Sequence, residues 1–111
     1  MDLDTLQILV VEDNESAIAS FEILLKKFET DFAPTLREAR ENFKKNEYDV
    51  VLLDIELPDG NGLDFLTEMR KENPEQPIIM ISGQNQPHIV VKAIQMGAID
   101  YISKPIDKDM M

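Results

Sequence analysis

Cysteine is absent from this 111-residue chain, so neither a disulfide framework nor a thiolate metal site is available to it. That suits a reducing compartment, and a cytoplasmic location is the expectation. Basic residues are scarce: 11 Lys and Arg stand against 22 Asp and Glu, a net charge of −11. Without a cationic excess to neutralise phosphates or anionic headgroups, direct nucleic-acid binding and membrane binding are both disfavoured. No apolar run approaches the roughly 18 residues that a membrane span needs. Met1-Asp2-Leu3-Asp4 is acidic where a signal peptide would be basic. Internal repeats, low-complexity tracts and linkers are missing too. What is present is 43% apolar and 30% charged, enough for one hydrophobic core, so a single domain over 1–111 is expected.

Short apolar runs alternate with helical patterns along the chain. Ile8-Leu9-Val10-Val11 reads as a first strand, and Ala17, Ile18, Phe21, Leu24, Leu25 and Phe28 as one face of a helix. Asp31-Phe32-Ala33 is a weak strand signal. Thr35 and Glu38 have the spacing of a capping box and open a second helix to about Asn46. Val50-Val51-Leu52-Leu53 is a third, buried strand that runs into Asp54, and Pro58-Asp59-Gly60-Asn61-Gly62 reads as a turn-rich loop. Leu63, Leu66 and Met69 mark a third helix ending before Pro74. Ile78-Ile79-Met80-Ile81 is the fourth strand, closed by Ser82-Gly83. A fourth helix opens at Pro87, turns Val90, Ala93 and Ile94 inward and ends at Gly97, before a fifth strand at Tyr101-Ile102-Ser103. This alternation predicts an α/β fold, a parallel sheet covered on both faces through right-handed crossovers. After the fifth strand only Ile106 to Met111 remain, room for about one turn of a fifth helix.

In a parallel sheet every strand delivers its carboxyl end to the same edge, where open α/β folds bind ligands. Here that edge would receive Glu12-Asp13, Asp54, Ser82-Gly83 and Lys104. Taken singly, an aspartate after a strand is more often a helix cap or a solvated turn residue, Ser82 a turn hydroxyl and Lys104 a surface charge. Together, three carboxylates crowd one edge, which raises their proton affinity and destabilises the fold unless a cation sits among them. Oxygen-only ligands of this kind suit Mg²⁺, which favours phosphate-bearing substrates. A carboxylate beside Mg²⁺ is a competent nucleophile toward phosphorus, and a lysine and a hydroxyl are groups that bind phosphoryl oxygens.

These residues resemble those of the receiver domains of two-component response regulators, close to the chemotaxis type. The match runs from Ile8 to Pro105 through Glu12-Asp13, Asp54 with Pro58 and Gly62, Ser82-Gly83, Tyr101 and Lys104-Pro105. The resemblance implies a doubly wound, flavodoxin-like, five-stranded parallel sheet of order 2-1-3-4-5. Measured against that family the fifth helix is largely missing, and a C-terminally truncated domain is expected. Asp54 would accept a phosphoryl group from the phosphohistidine of a partner kinase or phosphotransfer protein. Asp13 would ligate Mg²⁺ directly and Glu12 mainly through water, with Asp54 and the backbone carbonyl of Glu56 completing the set. Lys104 and Ser82 would hold the phosphoryl group and Tyr101 would be the switch that follows Ser82 inward. Lys104-Pro105 would be a cis peptide. The stretches around Ser82-Gly83, Met96-Gly97-Ala98 and Lys104-Pro105 look most like receivers of sigma-54-dependent activators.

The resemblance further implies a signalling domain that catalyses only its own phosphorylation and dephosphorylation, with an output domain in the full-length protein. Glu56 and Gln84 lie two positions beyond Asp54 and Ser82, where the family tunes phosphate lifetime; plain surface polarity explains them equally well. Tyr101 has an alternative as an aromatic packed half-buried on an edge strand. His88, the only histidine, reads as exposed on the fourth helix. A missing fifth helix would bare apolar surface, so self-association, as a homodimer or by segment exchange, is expected. The main alternative function is a degenerate receiver working as an unphosphorylated interaction module, which has no use for three crowded carboxylates. A flavodoxin-like cofactor binder would be repelled by Glu12-Asp13. Neither the Asp-x-Asp of dehalogenase-type phosphatases after strand one nor a Gly-rich Lys-Ser/Thr loop is present.

Overall fold

The computed structural model describes residues 6–83 and 87–106. Five parallel strands form the main sheet: β1 (Gln7–Val11), β2 (Glu29–Ala33), β3 (Val50–Asp54), β6 (Ile78–Ser82) and β7 (Asp100–Ser103). A hairpin of two-residue strands, β4 (Glu56–Leu57) and β5 (Gly60–Asn61), intervenes where the sequence suggested only a loop. The sheet order is β2-β1-β3-β6-β7. With the hairpin set aside this is the expected 2-1-3-4-5. Among the described residues four helices connect the strands: α1 (Glu15–Leu24), α2 (Leu36–Lys45), α3 (Gly62–Glu72) and α4 (Pro87–Gln95).

The period of two in the strands sorts their side chains between the faces. Leu9, Val11, Val51, Leu53, Ile78 and Met80 enter one core, against Leu36 and Ala39 of α2, Phe65, Leu66 and Met69 of α3 and Ala93 of α4. Ile8, Val10, Leu52 and Ile81 enter the other, against Phe21 and Leu25. Among the described residues α1 is the one helix on that second face, where Val50, Ile79 and Ile106 are partly buried. β3 is central and reads as continuous burial from Val51 to Asp54, as a strand covered on both faces must.

Local signals account for most element ends. Asn14 caps α1 by accepting from Ala17 N at 2.9 Å, and Thr35 Oγ1 caps α2 by accepting from Glu38 N at 3.1 Å. Glu38 Oε2 is buried without a hydrogen-bond partner, so this oxygen does not make the return half of that capping box. Gly97, at φ +110°, ends α4 in the left-handed region as expected. His88 is exposed.

Two expectations fail. α1 ends at Leu24, and Phe28, assigned to its apolar face, lies in the turn that follows, where Phe28 N bonds Leu25 O. Phe28 still packs on the second core, so burial alone produced the apparent helical period. Ile94 of α4, expected inward, is 45% exposed, because the closely packed inner face of α4 is taken by Ala93. Residues 107–111, where a turn of a fifth helix was expected, lie outside the described residues.

Gly62 opens α3 at a place where no side chain fits. A Cβ there would lie 2.0 Å from the backbone oxygen of Asp54. Gly62→Ala is therefore expected to displace the backbone beneath Asp54 and lower the unfolding free energy by about 1–3 kcal/mol. Urea titration measures this directly, and a variant as stable as the parent would contradict the close approach.

Candidate functional site

The ladder hydrogen bonds continue one residue past β1 and β7, and this is what aims the site. Glu12 N donates to Ala33 O at 3.0 Å, Lys104 N to Ser82 O at 2.9 Å, and Ile55 N to Ile81 O at 3.1 Å. Strand alternation then turns Glu12 into the protein, fully buried, and leaves its neighbour Asp13 exposed. Asp54 and Ser82, the last residues of β3 and β6, are buried beside it. Lys104 is half-buried and its preceding residues complete the edge strand; the Lys104-Pro105 peptide is cis, as expected.

The side chains converge. Lys104 Nζ lies 2.6 Å from Glu12 Oε1 and 2.9 Å from Asp54 Oδ2. Glu12 Oε1 makes this ion pair without a well-oriented hydrogen bond. Glu12 Oε2 accepts from the backbone amides of Asp13 (3.0 Å) and Asn14 (3.2 Å), which locks the carboxylate to the start of α1. Asp54 Oδ1 faces the amide of Glu56 at 3.4 Å. Burial, reinforced by hydrogen bonding to Asp54, raises the Glu12 carboxyl to a pKa of about 7, against the opposing pull of Lys104. Burial pulls the Lys104 ammonium down, but its contacts with Glu12 and Asp54 outweigh this and its pKa is raised overall. Lys104 therefore remains a cation.

These groups border a cleft of about 490 Å³, lined by Asp13, Asn14, Asp54, Glu56, Leu57, Pro58, Ser82, Gly83 and Lys104. A larger cleft, about 560 Å³, lies around Gln7, Tyr48, Asp49 and Gln76, away from this group. Carboxylate oxygens of Glu12, Asp13 and Asp54 all lie within 4.8 Å of one another, and among the described residues this is the group that could hold a metal ion. The donor set fits a hard divalent cation such as Mg²⁺: all ligands are oxygen, and one lysine leaves three carboxylates under-compensated.

The expected site residues Glu12, Asp13, Asp54, Ser82 and Lys104 are thus brought together. The exposed Glu56 is at the cleft wall. Tyr101 is half-buried on β7, opposite Met80 of β6, and packs against the first core. Gln84 lies outside the described residues. Two structural features of the site escaped the sequence reading. One is the ion pairing of Glu12 with Lys104, which no spacing reveals. The other is the hairpin after Asp54, whose turn residue Asp59 accepts from the amides of Leu36 and Arg37.

A doubly wound sheet of this order, with its acidic cluster and lysine at the carboxyl edge, defines a flavodoxin-like receiver fold. Residues 8–111 match the family model of the response regulator receiver domain, and the chain belongs to that family. It is 34% identical over 101 residues to the response regulator protein PilR of Pseudomonas aeruginosa, covering 89% of this chain and 23% of that protein. It is 37% identical over 106 residues to the transcriptional regulatory protein DltR of Streptococcus agalactiae, covering 94% of this chain and 47% of the relative. The chain thus spans less than half the length of either. Among solved structures, the beryllofluoride-activated NtrC4 receiver domain dimer superposes with a TM-score of 0.85 at 35% identity, covering 91% of this chain and 85% of that one. The receiver domain of a LuxO repressor protein from Vibrio parahaemolyticus gives 0.88 at 26% identity, covering 95% and 82%. Receiver domains are signalling modules of two-component systems. No helix among the described residues is long and apolar enough to cross a membrane.

The crowded carboxylates predict stabilisation by Mg²⁺. At a hundredfold excess over its dissociation constant the ion should add about 2.7 kcal/mol to the unfolding free energy. Asp13→Asn, which removes the exposed ligand and leaves the buried pair in place, should lose most of that increment in urea titrations with and without Mg²⁺. An Mg²⁺ effect undiminished in the variant would exclude Asp13 as a ligand.

Proposed function

We propose that this receiver domain takes a phosphoryl group onto Asp54 in a Mg²⁺-dependent reaction and changes conformation when it does so. The observation that carries this reading is the convergence of Glu12, Asp13 and Asp54 with Lys104 at one sheet edge. The donor is the phosphohistidine of a partner kinase or phosphotransfer protein. A carboxylate oxygen of Asp54 attacks phosphorus, the nitrogen–phosphorus bond of the donor breaks, and the imidazole leaves with the partner. Asp13, Asp54 and the backbone carbonyl of Glu56, with Glu12 mainly through water, would hold Mg²⁺, which would supply charge neutralisation for the transferring group.

The remaining residues act on the same group. Lys104, paired with Asp54 in the structure, exchanges that contact for a phosphoryl oxygen. Ser82, buried at the end of β6, is the hydroxyl that donates to another. Tyr101, half-buried on the neighbouring strand, follows Ser82 inward and carries the change to the edge of the sheet. Glu56 and Gln84 tune how long the phosphoryl group survives. The regulated activity resides in an output domain of the full-length protein, which matches the small share of each relative that this chain covers.

Asp54→Asn should abolish labelling by a small phosphodonor such as acetyl phosphate in Mg²⁺, followed by intact-mass spectrometry. Acid-labile phosphate on the variant at the parental level would overturn the assignment. In the same assay Glu56→Asn should change the decay rate of the label several-fold, since the carboxylate repels the attacking hydroxide or aligns its water, an effect below the roughly 10²–10⁴-fold typical of a general base. Identical decay would reduce Glu56 to a surface residue.

A further inference from the structure

One wall of the cleft is built by Glu56, Leu57 and Pro58, the first strand and the first turn residue of the β4–β5 hairpin. The hairpin's own pairing amounts to Glu56 with Asn61 and Leu57 with Gly60. So short a ribbon is not stable by itself in water. Its restraint comes from outside. Asp59, at the tip, accepts a hydrogen bond from Leu36 N on Oδ1 at 2.8 Å and one from Arg37 N on Oδ2 at 3.1 Å. Both donors are orphan amides of the first turn of α2, where the helix dipole also favours a negative charge. The Leu36 amide, with that of Arg37, holds the Asp59 carboxyl below its usual range. Gly60 packs so tightly here that an added Cβ would lie 2.8 Å from Leu36 Cδ1.

α2 already has a cap from its own flank, Thr35. A second cap brought from more than twenty residues away restrains whichever partner is less well held, and that partner is the hairpin. We propose that Asp59 is a positioning residue: tied to the amino end of α2, it holds the Glu56–Pro58 wall in place and thereby sets the affinity of the cleft for a divalent cation. This rests on the reading of the cleft as a Mg²⁺ site.

The experiment measures Mg²⁺ affinity by isothermal titration calorimetry and stability by urea titration, on the parent, Asp59→Ala, Asp59→Asn and Thr35→Ala. Asp59→Ala should raise the Mg²⁺ dissociation constant about tenfold, the lower end of what outer-shell partners of metal ligands typically contribute. Asp59→Asn, which keeps one acceptor oxygen for the Leu36 amide, should show a clearly smaller rise. Thr35→Ala removes the helix's own cap and leaves the hairpin untouched, so it should lower the urea midpoint at unchanged Mg²⁺ affinity. Parental affinity in Asp59→Ala overturns the inference while leaving the Mg²⁺ site intact. Equal losses in Asp59→Asn and Asp59→Ala overturn it too, since charge and not the tether would then be responsible. An equal loss in Thr35→Ala does the same by assigning the effect to fraying of α2. Should Asp59→Ala fail to fold, the comparison of Asp59→Asn with Thr35→Ala decides in the same way. A parent that binds no Mg²⁺ fails the site reading itself and the inference with it.

Discussion

The carboxyl edge of the sheet depends on one contact, the Lys104 ammonium lying 2.6 Å from Glu12 and 2.9 Å from Asp54. Two buried carboxylates side by side repel and lose hydration, a cost that shows as the raised proton affinity of Glu12. The lysine reduces that cost for both, and the amides of Asp13 and Asn14 reduce it further for Glu12. The compensation is incomplete: Glu12 remains raised to about 7, and Asp13 adds a third carboxylate from the solvent side. An edge so arranged, all oxygen donors with an excess of negative charge, suits a further hard cation.

Holding that contact together takes most of the fold. Glu12 and Lys104 come from β1 and β7, which are separated by β3 and β6. Their side chains meet only because the ladders extend beyond the strands, through Glu12 N to Ala33 O and Lys104 N to Ser82 O. The apolar layers on both faces fix the strand registers, since a slip of one residue would turn Glu12 to the other face. Below Asp54 the restraint is steric, with Gly62 packed against its carbonyl. Beyond it the hairpin is tied to α2 through Asp59. The surroundings of Asp54 are thus held from the sheet, from α3 and from α2 at once.

Where sequence reading worked and where it did not follows from the range of the interactions involved. Strands β1, β3 and β6 and helix α3 are legible because apolar period and flanking Gly or Pro are local signals. The end of α1 is not, because Phe28 keeps the helical spacing while a turn places it on the same core. Ile94 misleads for a related reason: its position fits an apolar face, but the space against the sheet is filled by Ala93. The β4–β5 hairpin is hidden because two residue pairs leave no pattern, and its stability is borrowed from α2, more than twenty residues away in sequence.

The sequence alone determined the α/β class, the order in which reactive groups emerge from the strands and, through Glu12-Asp13, Asp54, Ser82 and Lys104-Pro105, the resemblance to receivers. Those are properties of residue type and spacing, carried by local periodicity and by chain order. Only the tertiary structure decided which of two adjacent acids is buried, which of them pairs with Lys104, and what holds the loop beyond Asp54. These depend on register between strands distant in sequence and on distances of a few ångströms. Glu12 and Asp13 are nearly the same chemistry on paper; the pleat of β1 makes one the buried counter-ion and leaves the other open to solvent.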